Sequence, residues 1–518
     1  MTMKKVRVMS AEEAAELVQD GQTIVTGGFV GSSCPEALSK GLEMRFLKTG
    51  KPEGLTLIYA AAQGNRDGSG ADHFAHRGMV KRVIGGHWNM APNLGAMVIR
   101  NEIEGYNLPQ GTISQMFRDI AGKRVGTITH VGLQTFVDPR ISGGKLNEIT
   151  REDLVEVIEI GGQERLLYKS VPIDIAFIRG SLSDELGNIS LEREIGTLDA
   201  AAIAQACHNS GGTVIVQVEK IVKAGTLDPR LVKIPRIYVD GVVVASPEDH
   251  EQCFGWEFDS SLTGETRSPL GSIEPVPLSP KKIIARRAAM ELTANAVVNL
   301  GIGAPEYIAR VANEEGIGDD MVLTVEAGPV GGVPMGGSQF GASMNPEAIM
   351  DQAVQFDFYD GGGVDLAFLG LAEADEEGNI NVSKFGPRIA GAGGFINITQ
   401  NAKRVFFCGT FTAEGLKVKI ANGSLEIIQE GRQKKFVKAV EQITFSGKYA
   451  AQTGQPVMYI TERAVFELRS DGMYLTEIAP GVDLEKDILA HMDFTPHISA
   501  NLKQMEKCIF LERPMAVK

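Results

Sequence analysis

The chain has 518 residues, with 65 Asp and Glu against 51 Lys and Arg and a formal net charge of -14. That length exceeds what one hydrophobic core supports and implies at least two domains, while 60 glycines suit an α/β protein with many tight strand-to-helix turns. The acidic balance, with no basic stripe, argues against nucleic acid as a partner, although local lysines could still hold an anionic ligand.

From the N-terminus, Met1 to Arg7 leads into Ser10-Ala11-Glu12-Glu13 without an apolar signal-like run, and no later stretch approaches an uncharged membrane-spanning length. A cytoplasmic protein with no membrane partner is expected. Five cysteines (Cys34, Cys207, Cys253, Cys408 and Cys508), none in a CxxC pair, fit a reducing compartment and argue against a disulfide framework or zinc site. A helix around Ala14–Leu17 precedes a strand at Thr23-Ile24-Val25. The glycine turn Gly27-Gly28-Phe29 follows, then a helix opened by Pro35-Glu36, where proline and acid are favoured. Asp72-His73-Phe74-Ala75-His76 reads as a surface helix; its HxxH lacks a further paired ligand, so no metal is expected. Gly85-Gly86-His87-Trp88 either lines a cleft or packs in the core.

An internal repeat organises the rest. Asp174-Ile175-Ala176-Phe177-Ile178 leads to Asp184-Glu185-Leu186-Gly187-Asn188-Ile189, and Asp365-Leu366-Ala367-Phe368-Leu369 leads at the same spacing to Asp375-Glu376-Glu377-Gly378-Asn379-Ile380. Each reads as a buried strand, a Gly-Asn turn and a second strand. The start of the first half is matched by Ala288–Leu292, the strand Ala296–Leu300, the turn Gly301-Ile302-Gly303 and Pro305-Glu306. A Ser-, Gly- and Pro-rich stretch separates the halves. The expected organisation is residues 1–259, a linker at 260–279, and residues 280–518, as two similar doubly wound open-sheet α/β domains.

In the second half, Leu323-Thr324-Val325 reads as a strand ending at Glu326, with Ala327-Gly328-Pro329 after it. Ligands of open α/β sheets bind at such carboxyl ends. A carboxylate there is ionised at pH 7 and can act as a nucleophile without a general base. The alternative is a glutamate that caps a helix or pairs with an arginine.

With these residues in view, the chain resembles a family I coenzyme A transferase over nearly its whole length, its halves similar to fused α-like and β-like parts. The stretches that carry the resemblance are Thr26-Gly27-Gly28-Phe29, Asn107-Leu108-Pro109-Gln110-Gly111-Thr112, Thr324-Val325-Glu326-Ala327-Gly328 and Gly391-Ala392-Gly393-Gly394-Phe395. The propionate and acetate (short-chain) subgroup is the nearest. Ala327 stands where many members have asparagine after the nucleophile, which disfavours the succinyl-CoA:3-oxoacid branch. The resemblance implies that Glu326 is the nucleophile of a ping-pong transfer through a γ-glutamyl-CoA thioester. Coenzyme A is then a substrate, no cofactor is needed, and the partners are acyl-CoA and short-chain carboxylates. It also implies a homo-oligomer, dimer or tetramer. Gly393 and Gly394 become candidates for an oxyanion hole, against the reading of a plain turn before a strand Phe395–Ile398. Gly28, Phe29, Val30 and Gln110 become candidates for the acyl pocket, and Lys384 for contact with the CoA phosphates. Two further readings stay open: an acyl-CoA hydrolase on the same fold, and a non-catalytic metabolite-sensing module. A dehydrogenase ranks below them because no GxGxxG follows the first strand.

Overall fold

The computed structural model describes residues 5–269, 275–318 and 321–516; the first four residues and positions 270–274 of the expected linker lie outside the described residues. Two compact units make up the chain. The first takes in the chain up to Ser268 together with Val325–Asp357 and Phe385–Asn397; the second consists of Pro269–Thr324, Phe358–Lys384 and the chain from Ile398. A boundary near Ser279 divides the sequence repeat, whereas the compact units divide elsewhere. The reason is packing: Val325, Ala327 and Ile389 are buried in hydrophobic clusters of the first unit.

The first unit is built on a parallel sheet. Its strands lie in the order Arg7–Val8, Gly241–Val244, Thr213–Val218, Ile175–Arg179, Thr23–Thr26, Leu55–Tyr59, Val80–Gly85, Glu104–Asn107, every adjacent pair parallel. Leu55–Tyr59 and Ile175–Arg179 are mostly apolar and buried at each position, as central strands are when both sheet faces are covered. Helices Glu36–Thr49, Pro92–Ile99 and Ala200–Asn209 connect successive strands. Chain order reverses between Thr23–Thr26 and Ile175–Arg179, and Gly27-Gly28-Phe29 leaves the sheet at that switch point.

The second unit is mixed. Met321–Thr324, Ala296–Leu300, Leu366–Gly370, Arg404–Cys408 and Val457–Ile460 follow one another in parallel. Ala464–Arg469 and Gly472–Ile478 then continue antiparallel, and His497–Gln504 adds on in parallel. The chain thus forms two α/β units on open sheets, the second lengthened by a meander.

The sequence repeat is a repeat of contacts. The Asp174 carboxylate accepts from Thr23 N at 2.8 Å, and the Asp365 carboxylate accepts from Val297 N at 2.8 Å. At the other end of the same strands, Gly27 N donates to Phe177 O at 3.1 Å and Gly301 N to Phe368 O at 2.8 Å. The Gly-Asn turns match too. Asp184 Oδ1 accepts from Leu186 N and Asn188 N, and Asp375 Oδ1 accepts from Glu377 N and Asn379 N. An aspartate that satisfies the turn's own amides explains why this residue recurs at a fixed place.

Two local expectations are overturned. Phe395-Ile396-Asn397-Ile398 is not a strand but the start of the helix Phe395–Asn401. Every residue from Phe395 to Gln400 is buried, and a short run such as Phe-Ile-Asn-Ile cannot be assigned to helix or strand by periodicity alone. Gly70–Phe74 is a buried 3-10 turn rather than a surface helix. His73 can be buried there because its ring is bracketed by carboxylates, Nε2 at 2.7 Å from Glu36 and Nδ1 at 2.6 Å from Glu43.

Candidate active site

Glu326 sits in a tight turn of the first unit. Val325 N donates to Pro329 O and Gly328 N donates back to Val325 O, both at 3.0 Å. The turn is tied down by Met350 N, which donates to Gly328 O at 2.9 Å. Gly328 has φ +122°, and a Cβ there would lie 2.0 Å from Met350 O, so only glycine fits. Val325 and Ala327 are buried on either side while Glu326 itself is half-exposed. The local sequence therefore anchors its apolar neighbours and leaves the carboxylate at the surface of a buried cluster.

That cluster contains two of the four expected acyl-pocket residues, Phe29 and Val30. Val325 and Ala327 share it with Phe29, Val30, Ala61 and Leu198, and Phe340 packs on it with its ring centroid 6.0 Å from that of Phe29. Gly28 leads out of the switch-point strand into a knot in which Phe29 and Ser32 exchange backbone hydrogen bonds at 2.9 Å. Val30 N donates to Ala62 O and Gly64 N to Val30 O, which fixes this loop to the end of the neighbouring strand. Phe29 is 2% and Val30 8% exposed, so the wall they form is closed and apolar.

The glycine loop is held by the segment after Val80–Gly85. Trp88 N donates to Ala390 O at 2.8 Å, Ala392 N to Asn107 Oδ1 at 2.9 Å, and Gly393 N to Gly86 O at 2.8 Å. Gln110 N donates to Gly393 O at 2.9 Å. The two candidate oxyanion donors are therefore not equivalent. The Gly393 amide is already engaged, whereas the Gly394 amide has no acceptor among the described residues and immediately precedes the helix Phe395–Asn401. Trp88 is wholly buried in the core of the sheet, which decides that residue for packing.

Gln110 is the first residue of the helix Gln110–Ala121 and is buried. Its Nε2 donates to Gln352 Oε1 at 3.3 Å. Gln352 N donates to the carbonyl of Leu198, a member of the Phe29–Val325 cluster, at 3.2 Å. Gln110, the glycine loop and the Glu326 cluster are thus parts of one connected region. Lys384 belongs to the second unit, where its Nζ lies 3.7 Å from Glu441.

Two titratable groups here gain a place that spacing did not give them. His87 flanks the glycine loop, and its Nδ1 is enclosed without a hydrogen-bond partner among the described residues. Burial, followed by the charges of Arg66 and Arg388, pushes the imidazole down to about 4, so it is neutral at pH 7. Asp199 lies behind Gln352; burial pushes its carboxyl up to about 7 against the hydrogen bond from Ser114. Its position before the helix Ala200–Asn209 suggests a cap, but its side chain makes no capping bond. Among the described residues, no group of three or more His, Cys, Asp or Glu is arranged to hold a metal ion, and no helix is long and apolar enough to cross a membrane.

Comparison with known proteins gives concordant results. The family model described as Coenzyme A transferase matches residues 8–245. The chain is 47% identical over 515 residues to the caffeate CoA-transferase of Acetobacterium woodii, covering 98% of each. It is 45% identical to the acetate CoA-transferase YdiF of Escherichia coli K12, covering 99% of this chain and 96% of that one. The crystal structure of the acyl-CoA transferase YdiF from E. coli O157:H7, a thioester complex with CoA, superposes with a TM-score of 0.94 at 44% identity, covering 99% and 97% of the two chains.

Proposed function

The chain belongs to the coenzyme A transferase family and is a CoA-transferase, and from that premise we propose that it exchanges coenzyme A between short-chain acyl-CoA and short-chain carboxylates by a ping-pong route through Glu326. The carboxylate attacks the thioester carbonyl, forming a mixed anhydride and releasing CoA thiolate. The thiolate attacks the glutamyl carbonyl, giving a γ-glutamyl-CoA thioester and freeing the first acid. An acceptor carboxylate reverses both steps and leaves as the new acyl-CoA, with Glu326 regenerated. Covalent catalysis keeps the thioester's free energy that hydrolysis would dissipate.

The observation that carries this reading is the placement of Glu326: a half-exposed carboxylate on a glycine-pinned turn, its two neighbours buried in the cluster of Phe29 and Val30. A closed apolar wall limits water while the anhydride exists. Gly394 supplies an amide for the tetrahedral oxyanion, a contribution of about 3 kcal/mol for such donors. Gln110 reaches a substrate oxygen, and Lys384 meets a CoA phosphate. The thioester complex of the E. coli relative supports a covalent CoA intermediate. Relatives named for caffeate and for acetate are nearly equally identical to this chain, so identity alone does not choose the acid. The buried wall of Phe29, Val30 and Ala61 favours a small acyl group such as propionyl or acetyl. The enzyme works in the cytoplasm as a homo-oligomer, dimer or tetramer.

Intact-protein mass spectrometry after adding propionyl-CoA without an acceptor acid tests the mechanism. A CoA-sized adduct is expected on the wild type and not on Glu326→Ala, discharged by acetate as acetyl-CoA appears. Free CoA accumulating without an adduct would favour a hydrolase, and a near-wild-type rate in E326A would remove Glu326 from the reaction.

A further inference from the structure

We propose that Gln352, held by Asp199 and Ser114, is a positioning residue that fixes the amide orientation of Gln110; this rests on the transferase reading above. Gln352, Ser114 and Asp199 are 1%, 0% and 5% exposed, so none can satisfy its polar atoms with water at will. Gln352 Nε2 donates to Asp199 Oδ2 at 2.7 Å and to Ser114 Oγ at 2.7 Å, and Ser114 Oγ in turn donates to Asp199 Oδ2 at 3.2 Å. Asp199 Oδ2 accepts from both Gln352 Nε2 and Ser114 Oγ, so Gln352 turns its nitrogen toward Asp199. The Gln352 oxygen then faces Gln110, and an oxygen facing an amide selects that amide's nitrogen, as the 3.3 Å contact to Gln110 Nε2 records.

The chain of choices ends at the proposed site. Gln110 Nε2 carries two hydrogens, and only one is used by Gln352, leaving the other for a substrate oxygen. Gln110 Oε1 is turned toward the glycine loop, 3.6 Å from where a Cβ on Gly393 would stand. An unsupported glutamine would sample both faces, and half of its population would present an oxygen to a substrate oxygen. The relay removes that alternative. It draws on three separated parts of the chain: the helix Gln110–Ala121 supplies Gln110 and Ser114 one turn apart, Asp199 precedes the helix Ala200–Asn209, and Gln352 opens the helix Gln352–Asp360. The relay leaves one atom over: Asp199 Oδ1 is buried with no hydrogen-bond partner among the described residues. A carboxyl group held with one oxygen unpaired is hard to explain as packing, because burying an unpaired polar atom destabilises the fold.

A double-mutant cycle on the rate of CoA-adduct formation separates positioning from mere structure. Gln352→Met, nearly the same size but without the amide, should lower the rate on the order of tenfold, with thermal midpoint and the KM for acyl-CoA little changed. In a Gln110→Ala background the same substitution should change the rate less than about twofold, since the residue it acts through is gone. Asp199→Asn, which loosens the hold on Gln352 without removing it, should give a smaller loss that also vanishes in the Q110A background. Equal losses in both backgrounds would overturn the relay while leaving the transferase reading intact. A wild-type rate in Q110A alone would overturn the role of Gln110 and the relay with it.

Discussion

Gly328→Ala tests whether the Glu326 turn is as constrained as its geometry requires. At φ +122° an alanine occupies a backbone region that side chains avoid, which costs about 1–3 kcal/mol. Its Cβ would also stand 2.0 Å from Met350 O, a backbone atom that cannot swing aside as a side chain can. The turn must open, and the Met350 N to Gly328 O hydrogen bond at 2.9 Å goes with it, a further loss of about 1 kcal/mol. Together these predict destabilisation of about 2–4 kcal/mol. Gly337→Ala is the control, because Gly337 has φ +63° but nothing within 4 Å of a Cβ; it should lose only about 1–2 kcal/mol, the cost of the left-handed backbone. Urea unfolding gives both values, and adduct formation from propionyl-CoA reports the displaced carboxylate. G328A should form adduct at least about tenfold more slowly, because a misplacement of about 1 Å can cost a hundredfold in rate. A G328A protein within about 0.5 kcal/mol of wild type, with an unchanged adduct rate, would refute the claim that the turn positions Glu326.

Two other tests probe the first unit and the thiols. Burial alone would push the His73 imidazole down, but hydrogen bonds and charges from Glu36 and Glu43 outweigh it and hold the group above its ordinary value. A raised histidine contributes stability that is fully present below its unfolded pKa and lost as pH rises through the folded one. His73→Gln should therefore be clearly less stable than wild type in urea at pH 6, with the gap narrowing by pH 9; a gap constant across that range would contradict the charge pairing. Cys34, Cys207, Cys253 and Cys408 are buried and Cys508 is half-exposed. Brief iodoacetamide treatment of the native protein should label Cys508 first, and peptide mapping that finds Cys34 or Cys253 labelled equally fast would show that the Phe29–Cys34 loop opens.

Much of the architecture was legible in the sequence because it is repetitive. Asp174 and Asp365 stand at equivalent places in the two copies, and the structure adds that both accept a hydrogen bond from the neighbouring strand. Glu326 was visible because an apolar strand run stops at it and a small, glycine-containing turn follows. Phe395–Asn401 was not legible as a helix because its apolar opening Phe-Ile-Asn-Ile is too short to show a helical period and its polar residues Asn397, Thr399 and Gln400 are buried too. The inequality of Gly393 and Gly394 depends on Gly86 O, a partner some three hundred residues away in sequence. Gln352 and Asp199 carry no local signal either; each looks like the ordinary polar start of a helix, and only the fold reveals that they face one another.

The discontinuity of the first unit has a consequence for how the enzyme comes into being. Chains emerge from the ribosome N-terminus first, and domains form as their segments become available. The first sheet can be complete once Gly241–Val244 has emerged, but Glu326 and then the glycine loop, which rests on Gly86 and Gln110, arrive only as synthesis approaches Asn397 of 518 residues. The nascent polypeptide thus carries an empty cradle from the completion of the first sheet until its carboxylate, and then its amide donor, emerge. Premature termination between Val244 and the glycine loop at residues 391–394 would leave a folded sheet with an unfinished reaction centre, so such truncated products should be inert toward acyl-CoA rather than wasteful of it.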